Sequence, residues 1–283
     1  MFEKLLCCPK CQGELRKTAA AFTCKNCQKK YPIVSGVPIF LLENDDKQTS
    51  AQKEIFDTNY QGINTYKLEH WQKSFFKRTL ESFGLKKGAD NKKGIYLDIG
   101  SGGNGYQVIE MAKLGIPSVG IDISLTGILQ AKKFAQSQGV GVMTYFIVAD
   151  ANYLPFKKEI FTYASCIMVL EHLETDDLCA GEIDRVLAQA GVAYISVPNT
   201  YFRIWPFLWP LYIWWDKKLG HVRHYSENSL IALMTYSGGL ELSRVFYTVH
   251  LIKFIQLAFS FYTQNKSLWW FFEAIDWKLR NFR

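Results

Sequence analysis

The 283-residue chain predicts an α/β fold, doubly wound around a mostly parallel sheet, on three observations. First, short apolar runs at 94–98, 117–121, 142–149, 161–169 and 192–197 alternate with helix-length spacers, the pattern of strand–helix repeats. Second, the first four runs end in Asp98, Asp122, Asp150 and the pair Glu171–His172. In a parallel sheet these residues share the carboxyl edge, where ligands bind. Third, the first run breaks into the glycine-rich turn Leu97–Gly105, LDIGSGGNG, and then into helical YQVIEMAKL. Strand, turn and helix form a nucleoside-binding corner: glycines let the backbone approach a ligand, and the helix offers free N–H groups. The sheet is therefore expected to be Rossmann-like, with a small N-terminal zinc ribbon ahead of it and amphipathic helices behind.

Composition agrees with a folded protein. Hydrophobic residues make up 48% and charged residues 21%, outside the disordered range. The length suits one large domain plus a small one. A net charge of +7 permits an anionic partner without requiring one. No stretch offers 18 clean apolar residues, so a spanning helix is not expected. Met1–Cys8 lacks the apolar segment of a secretory signal. The expected location is cytoplasmic, with cysteines reduced or metal-bound.

Residues 1–42 are expected to form the ribbon. Cys8-x-x-Cys11 and Cys24-x-x-Cys27 are separated by 12 residues. Each pair can occupy a tight turn with both thiolates aimed at one point, and together they make a tetrahedral sulfur site suited to zinc. Four thiolates leave no open position, so this zinc is structural. The competing reading, reactive dithiols or a disulfide pair, fits a reducing compartment poorly. Cys7 is read as a spectator. Tyr31–Leu42, YPIVSGVPIFLL, resembles the end of small zinc-ribbon modules. The segment carries seven Lys/Arg against two Asp/Glu. A packing element and a nucleic-acid contact both stay open.

Residues 43–94 read as a connector. A polar linker at 43–50 precedes helical spacing over 52–83, with Tyr60 and Tyr66 as candidates for a lid and core packing as the alternative.

Residues 95–247 are expected to form the cofactor core. The order Asp98-x-Gly100-x-Gly102 puts an acid ahead of the first glycine. A carboxylate repels a pyrophosphate but suits a ligand carrying an ammonium and a sulfonium, which favours S-adenosylmethionine over a dinucleotide. Asp122 lies 20 residues after Gly102, the spacing at which an acid reaches ribose hydroxyls. The stretch resembles motif I of class I S-adenosylmethionine-dependent methyltransferases, some of which carry a zinc ribbon. The likeness extends to Leu154-Pro155-Phe156 after the third strand, to Leu170-Glu171-His172-Leu173 after the fourth, and to Pro198-Asn199 after the fifth. The resemblance implies that Asp98, Gly100, Ser101 and Gly102 hold the methionine part, Asp122 and Ile123 the ribose, and Asp150 and Ala151 the adenine. Two departures stand out. Asn104 occupies the third glycine place of GxGxG, so either the turn is one residue longer or Asn104 adopts a left-handed conformation. Some quinone O-methyltransferases place a metal on Glu-x-x-Glu-His, but Met168 stands at the first glutamate, so that set is incomplete.

The acceptor side is sought in residues 201–283. Tyr201–Trp215 has eight aromatics in 15 residues, broken by Pro206 and Pro210. It packs on the core or faces lipid or a greasy substrate. Gly220–Ser226, GHVRHYS, resembles a segment that follows strand five in a methyltransferase group acting on glycans, quinones and lipid-linked precursors. The likeness implies that His221, Arg223, His224 and Tyr225 face the acceptor, with His172, His221, His224 and Tyr225 as the catalytic candidates. A helix over 227–237 and a sixth strand over 240–247 are expected next. Residues 248–283 carry two aromatic amphipathic patterns, which suit monotopic contact with the inner face of a membrane or cover for a sheet edge or dimer face.

The resulting expectation is methyl transfer to a hydroxyl of a lipid-linked, glycan or quinone-type small molecule at the membrane surface. The alternatives are an rRNA or tRNA methyltransferase using the ribbon for RNA, and a non-catalytic adaptor.

Overall fold

The structure, a computed structural model, describes residues 2–42, 47–60, 65–86, 94–200 and 209–247. The expected C-terminal helices of 248–283, and 201–208 of the aromatic stretch, lie outside the described residues.

The core is the expected parallel sheet. Strands β5 (Tyr96–Ile99), β6 (Ser118–Asp122), β7 (Thr144–Ala149), β8 (Phe161–Ile167) and β9 (Leu187–Ser196) run in the order β7-β6-β5-β8-β9, all parallel. The order reverses at β5, which lies between β6 and β8. A crevice opens beyond the strand ends at such a switch point. Helices α3 (Tyr106–Lys113), α4 (Leu125–Ser137) and α5 (Asp176–Val186) make the crossovers. Leu97, Ile99, Val119, Ile121, Ile147, Phe161 and Cys166 are buried between the layers, as strands covered on both faces require.

The N-terminal strands β1 (Leu15–Lys17), β2 (Ala21–Cys24), β3 (Lys30–Val34) and β4 (Val37–Phe40) form an antiparallel meander. The meander continues the core sheet. Strand β4 pairs in parallel with β7, Ile39 opposite Val148 and Phe40 opposite Ala149, giving nine strands in one sheet. A second attachment lies at Leu6, which bridges Phe156, with Cys7 N–H donating to Pro155 C=O at 3.0 Å and Lys157 N–H to Leu5 C=O at 2.9 Å. Tyr31 and Phe40, both wholly buried, pack with ring centroids 4.9 Å apart and planes tilted by 43° in the seam.

The connector forms two helices, α1 (Lys47–Tyr60) and α2 (His70–Ser82). Beyond the sheet lie α6 (Trp209–Leu219), α7 (Glu227–Ala232) and a π-helical turn, Leu233–Ser237. The expected strand at 240–247 does not form: residues 241–247 have no regular structure, and Leu242, Val245 and Tyr247 are exposed. Its alternation of apolar residues is not matched by a ladder partner among the described residues. Strand β9 instead starts at Leu187, ahead of the expected 192, because Leu187 pairs with Phe161 across an irregular register.

Candidate active site

Strand β5 delivers Asp98 to the switch point, opposite Gly120 on β6 and Ser165 on β8. Its carboxylate accepts from the Ser165 hydroxyl and, at 3.3 Å, from Tyr96. Burial pushes the Asp98 carboxyl up to about 7 despite these two donors, and Asp122 adds to the rise. Gly100 follows with φ 75°, and a Cβ there would stand 2.3 Å from Val169 Cγ2, so glycine is required. The backbone N–H groups of Gly100 and Ser101 donate to Ile121 C=O at 2.9 and 2.8 Å. The Ser101 hydroxyl is buried and has no hydrogen-bond partner among the described residues. Gly105, with φ 54°, caps α3, while Asn104 uses its Oδ1 to accept from Tyr106 N–H at 3.3 Å. The turn is thus one residue longer than GxGxG, and Gly105 supplies the left-handed residue.

Asp122 ends β6. Its two oxygens accept from Gly102 N–H and Ser124 N–H, both at 2.9 Å. Burial still raises the carboxyl to about 6 against these bonds. The acid therefore closes the glycine turn and ties it to the start of α4. Half-buried Ile123 leads from it into α4, which Ser124 caps by accepting from Gly127 N–H at 2.9 Å. Asp150, after β7, accepts from Asn152 N–H at 2.8 Å, and Ala151 beside it is buried. The Tyr60 ring of α1 lies over Gly102, Gly103 and Gly127. Burial, then Asp122 and Asp57, raises its hydroxyl well above the usual tyrosine range. The Ser124 hydroxyl donates to Asp57, tying α1 to α4 and roofing the turn.

A second set of side chains gathers where β8 ends. Glu171 is wholly buried, and neither carboxylate oxygen has a hydrogen-bond partner on another residue among the described residues. Burial pushes its carboxyl up to about 8. His172 lies beside it, its Nδ1 3.4 Å from Gly220 C=O and its ring edge-on to Phe56 at 5.4 Å. Burial and the nearby His221 lower its imidazole to about 4. The GHVRHYS segment folds back onto this end: Val222 N–H donates to Glu171 C=O at 2.8 Å and Tyr225 N–H to Pro198 C=O at 3.1 Å. His221 Nδ1 lies 2.8 Å from Asp216 Oδ1, and His224 Nε2 lies 3.1 Å from Asp216 Oδ2. The rings of His172 and His221 are 4.8 Å apart, those of His221 and His224 6.0 Å. Asp216, on α6, was not singled out by its sequence context. Its place five residues before His221, at the end of an aromatic helix, is the signal that was available.

Three of the four catalytic candidates therefore converge. Tyr225 is differently placed. Its hydroxyl donates to Asp176 Oδ2 at 2.6 Å and approaches Leu170 C=O at 3.1 Å. Arg223 likewise pairs with Asp176 at 2.5 Å and donates to Glu174 C=O at 2.6 Å. These two side chains moor the loop to α5, leaving the histidines inward. A cavity of about 1490 Å³ reaches from Asp216 and His221 past Met168 to Trp71 and Phe75.

The four N-terminal cysteines Cys8, Cys11, Cys24 and Cys27 also meet. Their Sγ atoms lie within 4.8 Å of one another, with Cys8–Cys27 at 3.7 Å and Cys11–Cys24 at 3.5 Å. The Tyr31 hydroxyl lies 3.1 Å from Cys8 Sγ.

Residues 97–195 match the family described as methyltransferase domain. Residues 97–195 therefore form a methyltransferase domain. A ubiquinone biosynthesis O-methyltransferase of Bartonella quintana is 32% identical over 109 residues, which are 38% of this chain and 43% of that protein. The chain thus spans less than half the length of this curated relative. A UPF0434 protein of Methylobacillus flagellatus is 35% identical over 54 residues, 18% of this chain and 88% of that protein, so this stretch belongs to the UPF0434 family. Among solved structures, geranyl diphosphate C-methyltransferase from Streptomyces coelicolor A3(2), in complex with Mg2+, geranyl diphosphate and S-adenosyl-L-homocysteine, is similar with a TM-score of 0.59 at 11% identity. The likeness covers 83% of this chain and 94% of that one and shows the shared fold.

Proposed function

We propose that this protein transfers a methyl group from S-adenosylmethionine to a hydroxyl of a small molecule of lipid-linked, glycan or quinone type. One observation carries the donor half of the reading: three buried carboxylates, Asp98, Asp122 and Asp150, stand at the ends of three adjacent strands around a glycine turn. These residues suit the donor. Asp98, held up by burial, gains most from an ammonium; the orphaned Ser101 hydroxyl and the glycine backbone suit the methionine carboxylate; Asp122 suits the ribose with Ile123 beside it, and Asp150 with Ala151 the adenine. When bound, the donor supplies an electrophilic methyl for direct displacement. The chain's part is to hold the nucleophile in line and keep water out. The acceptor hydroxyl must also lose a proton, and the cluster of His172, His221 and His224 provides acceptors, with Asp216 between the last two offsetting the charge that results. The partly apolar cavity beside His221 suits a bulky acceptor, and the Bartonella relative is named as an O-methyltransferase of ubiquinone biosynthesis.

The cysteine cluster fits a structural zinc. Tetrahedral coordination at about 2.3 Å puts the sulfurs roughly 3.8 Å apart, close to the two short contacts here. Cys8, Cys11, Cys24 and Cys27 would hold the ion and pin the meander to the edge of the core. Residues 248–283 are proposed to hold the protein peripherally on the inner face of the membrane, from the cytoplasmic side; no described helix is long and apolar enough to cross it.

Isothermal titration with S-adenosylmethionine tests the donor half. Wild type should bind, and Asp122→Ala should bind at least tenfold more weakly. Absence of binding by wild type, or an unchanged Asp122→Ala, sinks it. Labelled donor with fractionated lipid and RNA extracts tests the acceptor half: label in lipid supports the proposal, and label in RNA alone replaces it with RNA methylation through the basic N-terminal segment.

A further inference from the structure

We infer that Met168 is a specificity-determining residue of the acceptor site, held in a costly backbone conformation so that its thioether meets a flat apolar ring of the acceptor. The inference rests on the methyl-transfer function proposed above.

The backbone is the first observation. Met168 has φ 57°, in the left-handed region, where a Cβ crowds the carbonyl and glycine or asparagine is the ordinary occupant. Its N–H donates to Ser196 C=O at 2.8 Å, just past the Ile167–Ser196 pair that ends the β8–β9 ladder, so the sheet fixes it there. The other non-glycine residues with positive φ among the described residues are Gln12, Gln28, Ser35 and Glu159, all of them polar and exposed. Met168 differs from these in being apolar and in ending a core strand at the carboxyl edge. Packing does not repay the strain. The side chain is 38% exposed, although Leu170, two residues on, is wholly buried. An open apolar side chain and a strained backbone both oppose folding, and strain of this kind gathers where a ligand is held.

The second observation is placement. Val169, the next residue, packs so closely on Gly100 of the donor turn that a Cβ there would stand 2.3 Å from its Cγ2. Met168 itself lines the cavity that also holds Asp216 and His221, with Trp71, Phe75 and Tyr212 as aromatic walls. It thus stands beside the donor turn and on the same cavity as the proton-accepting pair, where the ring carrying the acceptor hydroxyl must lie. The Glu-x-x-Glu-His pattern would put a charge at this position, whereas this chain puts a soft, polarisable sulfur. Sulfur makes favourable contacts with aromatic ring edges, and the cavity's aromatic side chains suit the same flat ligand. A sugar ring set against the thioether would lose water from its hydroxyls and gain no partner from it.

2-Naphthol, a flat apolar ring bearing one hydroxyl, is the probe. Full-length protein saturated with S-adenosylhomocysteine should bind it in calorimetric titration. Met168→Leu, which keeps the apolar bulk, should stay within about threefold of wild type, and Met168→Gly should bind at least about tenfold more weakly. Met168→Gly should nonetheless melt about 2 °C higher than wild type, because glycine accepts the left-handed conformation without strain. Weaker binding joined to a firmer fold is an outcome that a merely structural methionine would not give. Wild type that fails to bind 2-naphthol, a Met168→Gly variant that binds it as wild type does, or one that melts below wild type overturns the inference. Affinity for S-adenosylmethionine, measured on the same three chains, should not change among them, and its absence from all three would count against the methyltransferase reading instead.

Discussion

Protonating Asp98 should switch off donor binding over a defined pH window. Its carboxyl is 3% exposed and raised from 3.8 to about 7. About half of the ligand-free chain carries the charge that pairs with the donor's ammonium at pH 7 and roughly 1% at pH 5, so affinity should fall about 50-fold between pH 7 and pH 5, close to 2.3 kcal/mol. The ligand's own α-amino group, with an ordinary pKa of about 7.7–8.0, stays protonated throughout that window and adds no slope of its own. Asp122, raised to about 6, steepens the loss at the acid end. Folding stability of the free protein runs the other way. Because the folded-state pKa lies above the unfolded one, the native state binds the extra proton between pH 4 and 7, and stability declines across that interval as pH rises. Three pKa units correspond to about 4 kcal/mol at most. Isothermal titration with S-adenosylmethionine from pH 5 to 8, with melting of the free protein over the same range, measures both. Asp98→Asn should bind more weakly at pH 8 and retain only the shallow lower limb that belongs to Asp122. A dissociation constant flat from pH 5 to 7, or an Asp98→Asn variant indistinguishable from wild type, refutes the argument.

Two further outcomes follow from the turn and the ribbon. Gly100→Ala puts a Cβ 2.3 Å from Val169 Cγ2 at φ 75°, and should cost about 2–4 kcal/mol in denaturant unfolding, with Val169→Ala in the same chain recovering part of the loss. Cys24→Ser should abolish zinc retention on elemental analysis and lower the melting temperature of the whole protein, because β4 is hydrogen-bonded to β7 and Tyr31 and Phe40 lie in the seam; a variant that loses zinc yet melts as wild type would show the meander to be energetically independent.

Much of the donor side was legible. The strand ends at Asp98, Asp122 and Asp150 can be found by a short apolar run that stops at an acid, since local alternation of strand and helix decides where the carboxyl edge falls. Asn104 was ambiguous because GxGxG and a one-residue longer turn look alike until φ is known; Gly105 takes the left-handed conformation. The strand expected at 240–247 failed for a different reason. Alternating apolar residues suit a strand, but a strand needs an edge to pair with, and pairing is not a local property. The GHVRHYS segment shows the same limit in side chains. His221, Arg223, His224 and Tyr225 looked alike in sequence, yet Arg223 and Tyr225 are spent on Asp176 while His221 and His224 converge on Asp216.

By itself the sequence determined the α/β class, the glycine turn with its leading acid, and the spacing of the cysteine pairs, because each is set by neighbours within one strand, turn or crossover. Tertiary structure alone decided three things. It made the N-terminal meander an edge of the core sheet through β4 and β7. It divided the GHVRHYS side chains between mooring the loop and facing inward. It also brought His221 beside Glu171 and His172. Those outcomes depend on which surfaces meet across long stretches of chain, and burial, not sequence distance, fixes the chemistry of the groups that meet there.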